Sequence, residues 1–289
     1  MPELPEVEVI RRGLAARLVG RRFLKVSASD KPLRQQSPLS FLQSRLAGNR
    51  LTAVKRKGKY LLFILEDGST LLVHLGMTGR LMVGEPGALA TLPHVHLRVS
   101  LDNGLELVFQ DVRRFGRVLL FEPGVPIAPL AQVGRDPFSR AVTAAWLAGE
   151  ARGRLRPLKN FLLDGRILAG LGNIYACEIL FAAGLHPETP AGRLSLKDWE
   201  RVLKETRRIL AKAIRRGGTT VNDYLNSQGE TGLFQFELMV YGRAGEPCRV
   251  CGTPIRRLVQ AGRSTFFCPA CQKLKRRGRQ NITTKTPRH

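Results

Sequence analysis

No apolar run in the 289 residues approaches the roughly 20 that a membrane-spanning helix needs, and Glu3, Glu6 and Glu8 stand where a signal peptide would carry its apolar core. These absences point to a soluble, cytoplasmic protein without a membrane partner. Acidic residues are scarce: 23 Asp and Glu face 47 Lys and Arg, leaving a net charge of +24, and none follows Glu246 while eleven Lys or Arg do. Such a field attracts polyanions, most commonly nucleic acid, although ribosomal proteins and membrane-surface binders share the composition. Five cysteines in a chain of cytosolic character are not a disulfide framework. Four form two pairs, and Cys177 stands alone in an apolar helical stretch as a small buried hydrophobe. Hydrophobic residues make up 43% of the chain, enough for two ordinary domains, each with its own core.

The opening hexapeptide Met1-Pro2-Glu3-Leu4-Pro5-Glu6 carries a chemical possibility. If Met1 is removed, Pro2 has a free secondary amine beside the carboxylate of Glu3. An α-amino group has a pKa of roughly 7.7 to 8.0, so a usable fraction is unprotonated near neutrality. Attack by a secondary amine on a sugar C1′ or an aldehyde gives an iminium, which is an electron sink for elimination. Many chains begin Met-Pro with no such chemistry. Val7, Ile10, Leu14 and Leu18 then recur at helical spacing up to Gly20, so a docked helix would fix the N-terminus in space.

From Arg22 to Phe121 the pattern is mostly β. Tyr60 to Leu65 and Thr70 to Leu75 are joined through Asp67-Gly68, and His94 to Leu101 pairs with Leu105 to Phe109 through Asp102-Asn103-Gly104. His94 and His96 alternate within that strand as structural histidines. The pattern predicts an α+β protein: an N-terminal β-sandwich with flanking helices over 1–121, then an aperiodic Pro- and Gly-rich interdomain linker over 122–137. Beyond it the period becomes helical. Ser195 is an N-cap for a helix running to Gly217-Gly218, and a second helix starts at Asn173 after the turn Gly170-Leu171-Gly172. The polar stretch from Thr219 to Phe236 has no clear period; such long connections tend to be functional or disordered.

Cys248-Arg-Val-Cys251 and Cys268-Pro-Ala-Cys271 are two C-x-x-C knuckles with sixteen residues between them. Four thiolates at that spacing suit one structural Zn²⁺ in a ribbon over 241–273, with an iron-sulfur cluster or disulfides as the alternatives. Between the knuckles a short hairpin would present Arg263 at its tip. There it is either a solvated arginine or a guanidinium gripping phosphates.

Taken in order, Pro2 to Glu8, Lys57, His74-Leu-Gly-Met77-Thr-Gly, Asp111-Val-Arg113-Arg-Phe115-Gly, Gly170-Leu-Gly-Asn173-Ile-Tyr-Ala, Val240-Tyr241-Gly-Arg and the two knuckles resemble the formamidopyrimidine-DNA glycosylase family. The resemblance runs from Pro2 to about Gln272. It implies a helix-two-turn-helix DNA-binding unit over 138–240 and a monomeric enzyme acting on duplex DNA with oxidised bases or abasic sites. The N-terminal proline would attack C1′ of a damaged purine nucleotide, expel the base and cleave the strand by β- then δ-elimination.

By the same resemblance, Pro2, Glu3, Lys57 and Arg263 are catalytic and Glu6 supports them. His74, Met77, Arg113, Phe115, Lys159, Asn173 and Tyr241 contact DNA, with Met77, Arg113 and Phe115 filling the void left by an extruded base. Glu178, Thr219, Thr220, Val221 and Tyr224 belong to the lesion pocket, and the four cysteines hold the metal. Without the resemblance, Met77 and Phe115 would pass for core residues of their strands, Lys57 for one charge in a solvated run, and Glu3 or Glu6 for helix-start acids. Gly165 and Cys177 depart from the family pattern without touching a catalytic role. The basic tail over 274–289 extends past the usual end, and its composition predicts disorder and added non-specific DNA affinity.

Two other functions fit parts of the chain. A sister endonuclease branch acts on oxidised pyrimidines, but its opening usually reads Pro-Glu-Gly-Pro, and here position 4 is leucine. A non-catalytic zinc-ribbon DNA-binding protein would need no amine at Pro2.

Overall fold

A computed structural model of the chain describes residues 1–219 and 232–274. Thr220, Val221 and Tyr224 of the expected pocket and the tail beyond Leu274 lie outside them. The hexapeptide opens helix α1 (Leu4–Leu18), whose first turn is closed by a 2.8 Å hydrogen bond from Glu3 N–H to Glu6 Oε2. Val7, Ile10, Leu14 and Leu18 are buried along one face, as their spacing requires.

Eight of the next nine strands of the N-terminal half lie in antiparallel pairs: β1 (Phe23–Ala28), β2 (Gln35–Gln36), β3 (Leu51–Lys57), β4 (Tyr60–Leu65), β5 (Thr70–His74), β6 (Arg80–Gly84), β7 (Val95–Leu101), β8 (Glu106–Gln110) and β9 (Arg117–Phe121). Helices α2 (Leu39–Leu46) and α3 (Pro86–Leu89) interrupt them. One sheet has the order β1-β7-β8-β6 and the other β2-β9-β5-β4-β3, with only β2 and β9 parallel. Leu61, Phe63 and Leu65 of the second sheet, Val83, Val99 and Phe109 of the first, and α1 share one core. The expected hairpins are present: β4 meets β5 across Gly68 (φ +85°) and β7 meets β8 across Gly104 (φ +80°), conformations that favour glycine. Strand β7 starts one residue after His94, which is exposed with φ +59°, so only His96 is the buried structural histidine expected there.

The segment expected to link the two halves is held tightly. Gly134 and Arg135 donate to the carbonyls of Gly165 and Ile167, and a Cβ on Gly134 would meet the Arg166 and Ile167 carbonyl oxygens at 2.4 Å. Its Asp136 receives Arg56 Nη2 at 2.8 Å, and the same guanidinium reaches Glu8 of α1 at 3.1 Å, so one half-buried arginine joins that segment, the sandwich and the first helix.

The helical half comprises α4 (Ala144–Ala151), α5 (Leu158–Leu162), α6 (Asn173–Ala182) and α7 (Leu196–Arg215). Ser195 and Asp198 form a reciprocal capping box at the start of α7. Trp199, Val202, Leu203, Thr206, Ile209 and Leu210 of its apolar stripe are buried, while Leu196 in the first turn stays exposed. The ribbon is a hairpin of β10 (Arg256–Gln260) and β11 (Arg263–Phe267). Ala261 and Gly262 both have positive φ at its turn, which suits the right-handed twist of the two strands.

Candidate active site and DNA-facing surface

The amino terminus is docked where α1 meets α6. Leu4 N–H donates to the Gly170 carbonyl at 2.9 Å, and Gly170 (φ +90°) presses against the Leu4 side chain, where a Cβ would come to 2.8 Å. Gly172 leaves room for the carboxylate of Glu3; a Cβ there would sit 2.2 Å from its Cδ. Glu3 then caps α6, with Oε1 accepting from Ile174 N–H at 3.0 Å and Oε2 from Tyr175 N–H at 3.4 Å. The two glycines of the Gly-Leu-Gly turn are thus explained by close approach of the N-terminal segment.

Burial pushes the Glu3 carboxyl above its ordinary value, and Glu6 adds to the rise; Lys59 and the two N–H donors oppose it. Pro2 is buried, and Met1 acylates its nitrogen. The terminal ammonium of Met1 is lowered by burial and by Lys59 and Arg113, against Glu3 and Glu6. An amine, a carboxyl with a raised pKa and a lysine with a lowered one therefore share one enclosed site, the combination that proton-transfer chemistry uses.

Glu6 is the knot behind this site. Its Oε1 accepts from the Tyr175 hydroxyl at 2.6 Å and from Thr219 N–H at 2.8 Å, and Oε2 from Glu3 N–H at 2.8 Å. Tyr175 hydroxyl also lies 2.8 Å from Thr219 Oγ1. Thr219, expected in the lesion pocket, is therefore beside the Glu3–Glu6 pair. Nothing in the sequence marked Tyr175 apart from its place in the Asn-Ile-Tyr-Ala run.

The structure separates two lysines that the sequence could not rank. Lys57, expected to be catalytic, ends β3 and donates through Nζ to the Leu130 carbonyl at 3.2 Å, away from Glu3. Lys59 is at the tip of the β3–β4 hairpin, where Gly58 (φ +59°) packs against Val133 and Ala169 and aims the turn at the Gly170 loop. Burial lowers the Lys59 ammonium, Glu3 and Glu6 oppose that, and Arg263 adds to it. Arg263 is exposed on the ribbon turn and its charge also bears on Lys159, so the hairpin tip hangs over the same site. His74, at the end of β5, accepts from Gly76 N–H through Nδ1 at 3.1 Å, leaving the proton of the neutral ring on Nε2. Burial, aided by Arg117 and Lys59, lowers its pKa to about 4.

Met77 and Phe115 are not core residues. They are 42% and 39% exposed on two loops that cross between the sheets at the same end of the sandwich. The Arg113 guanidinium stacks over the Phe115 ring at 4.7 Å from its centroid. The three expected void-filling residues are thus presented together.

Lys159, Asn173 and Glu178 behave differently. Lys159 is 0% exposed and donates to Ser264 O at 3.0 Å and Thr265 Oγ1 at 2.7 Å; Asn173 Nδ2 reaches the same Ser264 carbonyl at 2.9 Å. Both tether the strand that carries Arg263, and Lys159, expected to contact DNA, sits underneath that strand instead. Glu178, expected in the lesion pocket, is buried with its oxygens accepting from Met239, Val240 and Tyr241 N–H, each at 2.9 Å, so it anchors the entry to the ribbon. Isolated motif matching could not reveal either role, because both depend on backbone donors or acceptors about 60 to 105 residues away. Tyr241 packs edge-on against Phe266 at 5.1 Å.

The four cysteines are unlinked, and their Sγ atoms lie within 4.8 Å of one another. The Cys251–Cys268 and Cys251–Cys271 separations are 3.5 Å and Cys248–Cys271 is 4.0 Å. A tetrahedron of sulfurs around Zn²⁺ at about 2.3 Å has edges of roughly 3.8 Å. Val250 N–H and Cys271 N–H each point at a knuckle sulfur at 3.5 Å, stabilising thiolate. The donor set fits one structural zinc.

Residues 1–118 match the formamidopyrimidine-DNA glycosylase N-terminal domain, 133–224 the H2TH domain of the same glycosylase, and 245–274 a zinc finger found in that glycosylase and in isoleucyl-tRNA synthetase. A formamidopyrimidine-DNA glycosylase of Cupriavidus pinatubonensis is 49% identical over 94% of this chain and all of its own length, and one of Burkholderia multivorans is similar to the same degree. Among solved structures, the MutM (Fpg) protein of Thermus thermophilus is 39% identical, with a TM-score of 0.84 over 95% of this chain and all of that one. A Lactococcus lactis Fpg in complex with DNA containing Fapy-dG is 33% identical, with a TM-score of 0.85 over 94% of this chain and all of that one.

Proposed function

The chain belongs to the formamidopyrimidine-DNA glycosylase family and is a base-excision repair enzyme for oxidised purines with DNA glycosylase and abasic-site lyase activity; we propose that Pro2, freed of Met1, is its nucleophile, that Glu3 and Lys59 are its proton carriers and that Arg263 grips the phosphates beside them. The observation that supports this most is the enclosure of Glu3: a carboxyl raised by burial, held by the start of α6 in the space Gly172 leaves, beside the amino terminus and Lys59.

The secondary amine of Pro2 attacks C1′ of the damaged nucleotide, the glycosidic bond breaks with its electron pair leaving on the base, and the proton that the amine nitrogen gives up passes to that base. Glu3, in its protonated form, gives a proton to the opening sugar ring, and the nitrogen lone pair completes the iminium. Loss of a C2′ proton then drives the 3′ phosphate off, and the conjugated iminium loses the 5′ phosphate in the second elimination. Water finally releases the sugar fragment and the free amine. Lys59, kept partly basic by its lowered pKa, exchanges protons with these positions. Arg263 and the neutral Nε2–H of His74 hold the flanking phosphates, which Coulomb attraction to the wider positive surface gathers first.

Met77, Arg113 and Phe115 enter the duplex where the lesion leaves it, and the space beside Thr219 takes the extruded base. Glu6 keeps that pocket and the nucleophile in register. Lys159, Asn173 and Glu178 act through the ribbon, which the zinc holds in shape. We assign 1–121 to the catalytic sandwich, 122–137 to the linker, 138–240 to the helical DNA-binding unit and 241–273 to the ribbon. We place the enzyme in the cytoplasm on nucleoid DNA. No described helix is long and apolar enough to cross a membrane.

Incubation with a duplex carrying 8-oxoguanine opposite cytosine tests the assignment. Free 8-oxoguanine and a one-nucleoside gap with phosphate at both ends are the expected products. Base release from an intact strand would contradict the lyase half.

A further inference from the structure

The two loops that carry Met77 and the Arg113–Phe115 pair run side by side for a topological reason. Strand β5 pairs with β9 in one sheet and β6 with β8 in the other, so the connections β5–β6 and β8–β9 both cross between the sheets at neighbouring positions. The backbones are as close as they can be: Gly76 (φ +63°) would bring a Cβ within 2.7 Å of the Phe115 carbonyl carbon.

One buried side chain ties them. Asp111, fully inaccessible, is the first residue after β8. Its Oδ1 accepts from the Thr78 hydroxyl of the Met77 loop and from Arg113 N–H at 3.2 Å, and its Oδ2 accepts from Gly116 N–H at 2.7 Å. Thr78 Oγ1 in turn accepts from Arg113 N–H at 3.2 Å. The backbone of Asp111 is itself fixed, because its N–H donates to the His94 carbonyl at 3.0 Å and its carbonyl accepts from His96 Nε2 at 2.9 Å. His96 is buried against the Ser29–Lys31 segment. The carboxylate therefore lies at the point where both wedge-bearing loops leave the rigid sandwich.

We propose that Asp111 is a positioning residue for duplex opening: its carboxylate locks Met77, Arg113 and Phe115 into one preformed unit that enters the DNA without rearranging. This rests on the void-filling role given to the trio above. An extrusion wedge made of exposed side chains on two separate loops would otherwise lose its ordering entropy on every encounter, and preorganisation removes that cost before binding. His94, with its left-handed backbone, and His96 are the supports that hold the lock from the sandwich side.

Asp111→Asn keeps the shape but replaces one acceptor oxygen with a donor, so one of the N–H or O–H partners loses its acceptor. The zinc-loaded full-length variant is compared with wild type on two substrates by single-turnover borohydride trapping. On duplex DNA with 8-oxoguanine opposite cytosine, the trapping rate should fall about tenfold or more, the effect of one lost hydrogen bond to a charged group. On a single-stranded oligonucleotide with an abasic site, where nothing is extruded and no orphaned base waits, it should stay within about twofold. A loss confined to the duplex is a result that a general loss of folding would not produce. Thr78→Ser keeps the hydroxyl and should behave as wild type, whereas Thr78→Val should shift the duplex rate in the same direction as Asp111→Asn.

Equal losses on both substrates, or an unchanged duplex rate with Asp111→Asn, would overturn the proposal. Failure of the underlying trio role shows separately: Met77→Ala and Phe115→Ala would then leave duplex trapping at the wild-type rate. Failure of the Pro2 chemistry shows as no adduct from wild type on either substrate.

Discussion

The hydroxyl of Tyr175 donates a 2.6 Å hydrogen bond to Oε1 of Glu6, joining the helical half of the molecule to the first helix through two buried side chains 169 residues apart. Burial and the neighbouring carboxylate push the Tyr175 phenol well above its ordinary pKa, so it stays a donor. Tyr175→Phe keeps the ring against Phe234 and leaves Glu6 with the N–H groups of Glu3 and Thr219. Urea unfolding should show a loss of about 1–3 kcal/mol, the range for a buried charged acceptor that loses one partner.

Lys59 and Lys57 should part company when replaced one at a time. Lys59→Met removes the cation beside Glu3 and should cut strand cleavage at a preformed abasic site by about 100-fold or more, in the range for a lost proton carrier. Lys57→Met removes only a bond to the Leu130 carbonyl and should leave cleavage within about threefold, an effect of under 1 kcal/mol. Single-turnover rates on an abasic duplex check both.

That pair marks the limit of what the sequence made legible. Hydrophobic periodicity was enough for α1, the β4–β5 and β7–β8 hairpins and α7, because each is set by local spacing, caps and turn glycines. The cysteine spacing likewise foretold a cluster that closes as expected. The Lys55–Lys59 run has basic residues on both sides of one turn, and only the packing of Gly58 on Val133 and Ala169 decides which ammonium enters the site. The partners of Lys159 and Glu178 are hidden from the sequence for a similar reason. A buried charge is recognised by its partners, and theirs are backbone groups of the ribbon and of its entry, remote in sequence.

Glu8 carries a pH dependence with a definite sign. Burial alone would raise its carboxyl, but Arg11, Arg12 and Arg56 donate to it and hold it at about 2 against an ordinary 4.5. Its stabilising contribution is therefore complete above pH 4.5 and lost as pH falls through about 2. A shift of this size corresponds to at most roughly 3 kcal/mol before solvent screening. Glu8→Gln should be less stable than wild type at pH 7 in urea titrations, and the gap should close progressively below pH 4.5.

Removing zinc should act on DNA binding through the ribbon. Cys268→Ser opens the four-sulfur cluster, and because metal binding is folding energy for so small a unit, the hairpin carrying Arg263 loses its shape. Affinity for an abasic duplex should drop at least tenfold in fluorescence anisotropy, while the sandwich and helical domain keep their thermal transition. Arg263→Ala in the zinc-loaded protein should reproduce most of that loss.

The central claim is that the amino group of Pro2 forms the covalent bond to the sugar, with Lys59 close enough to be its rival. Borohydride trapping on a duplex containing 8-oxoguanine, followed by proteolysis and mass-spectrometric mapping, distinguishes them. An adduct on the N-terminal peptide beginning at Pro2, absent from protein that retains Met1, is the predicted result. An adduct on the peptide containing Lys59, or equal trapping with Met1 in place, would contradict it.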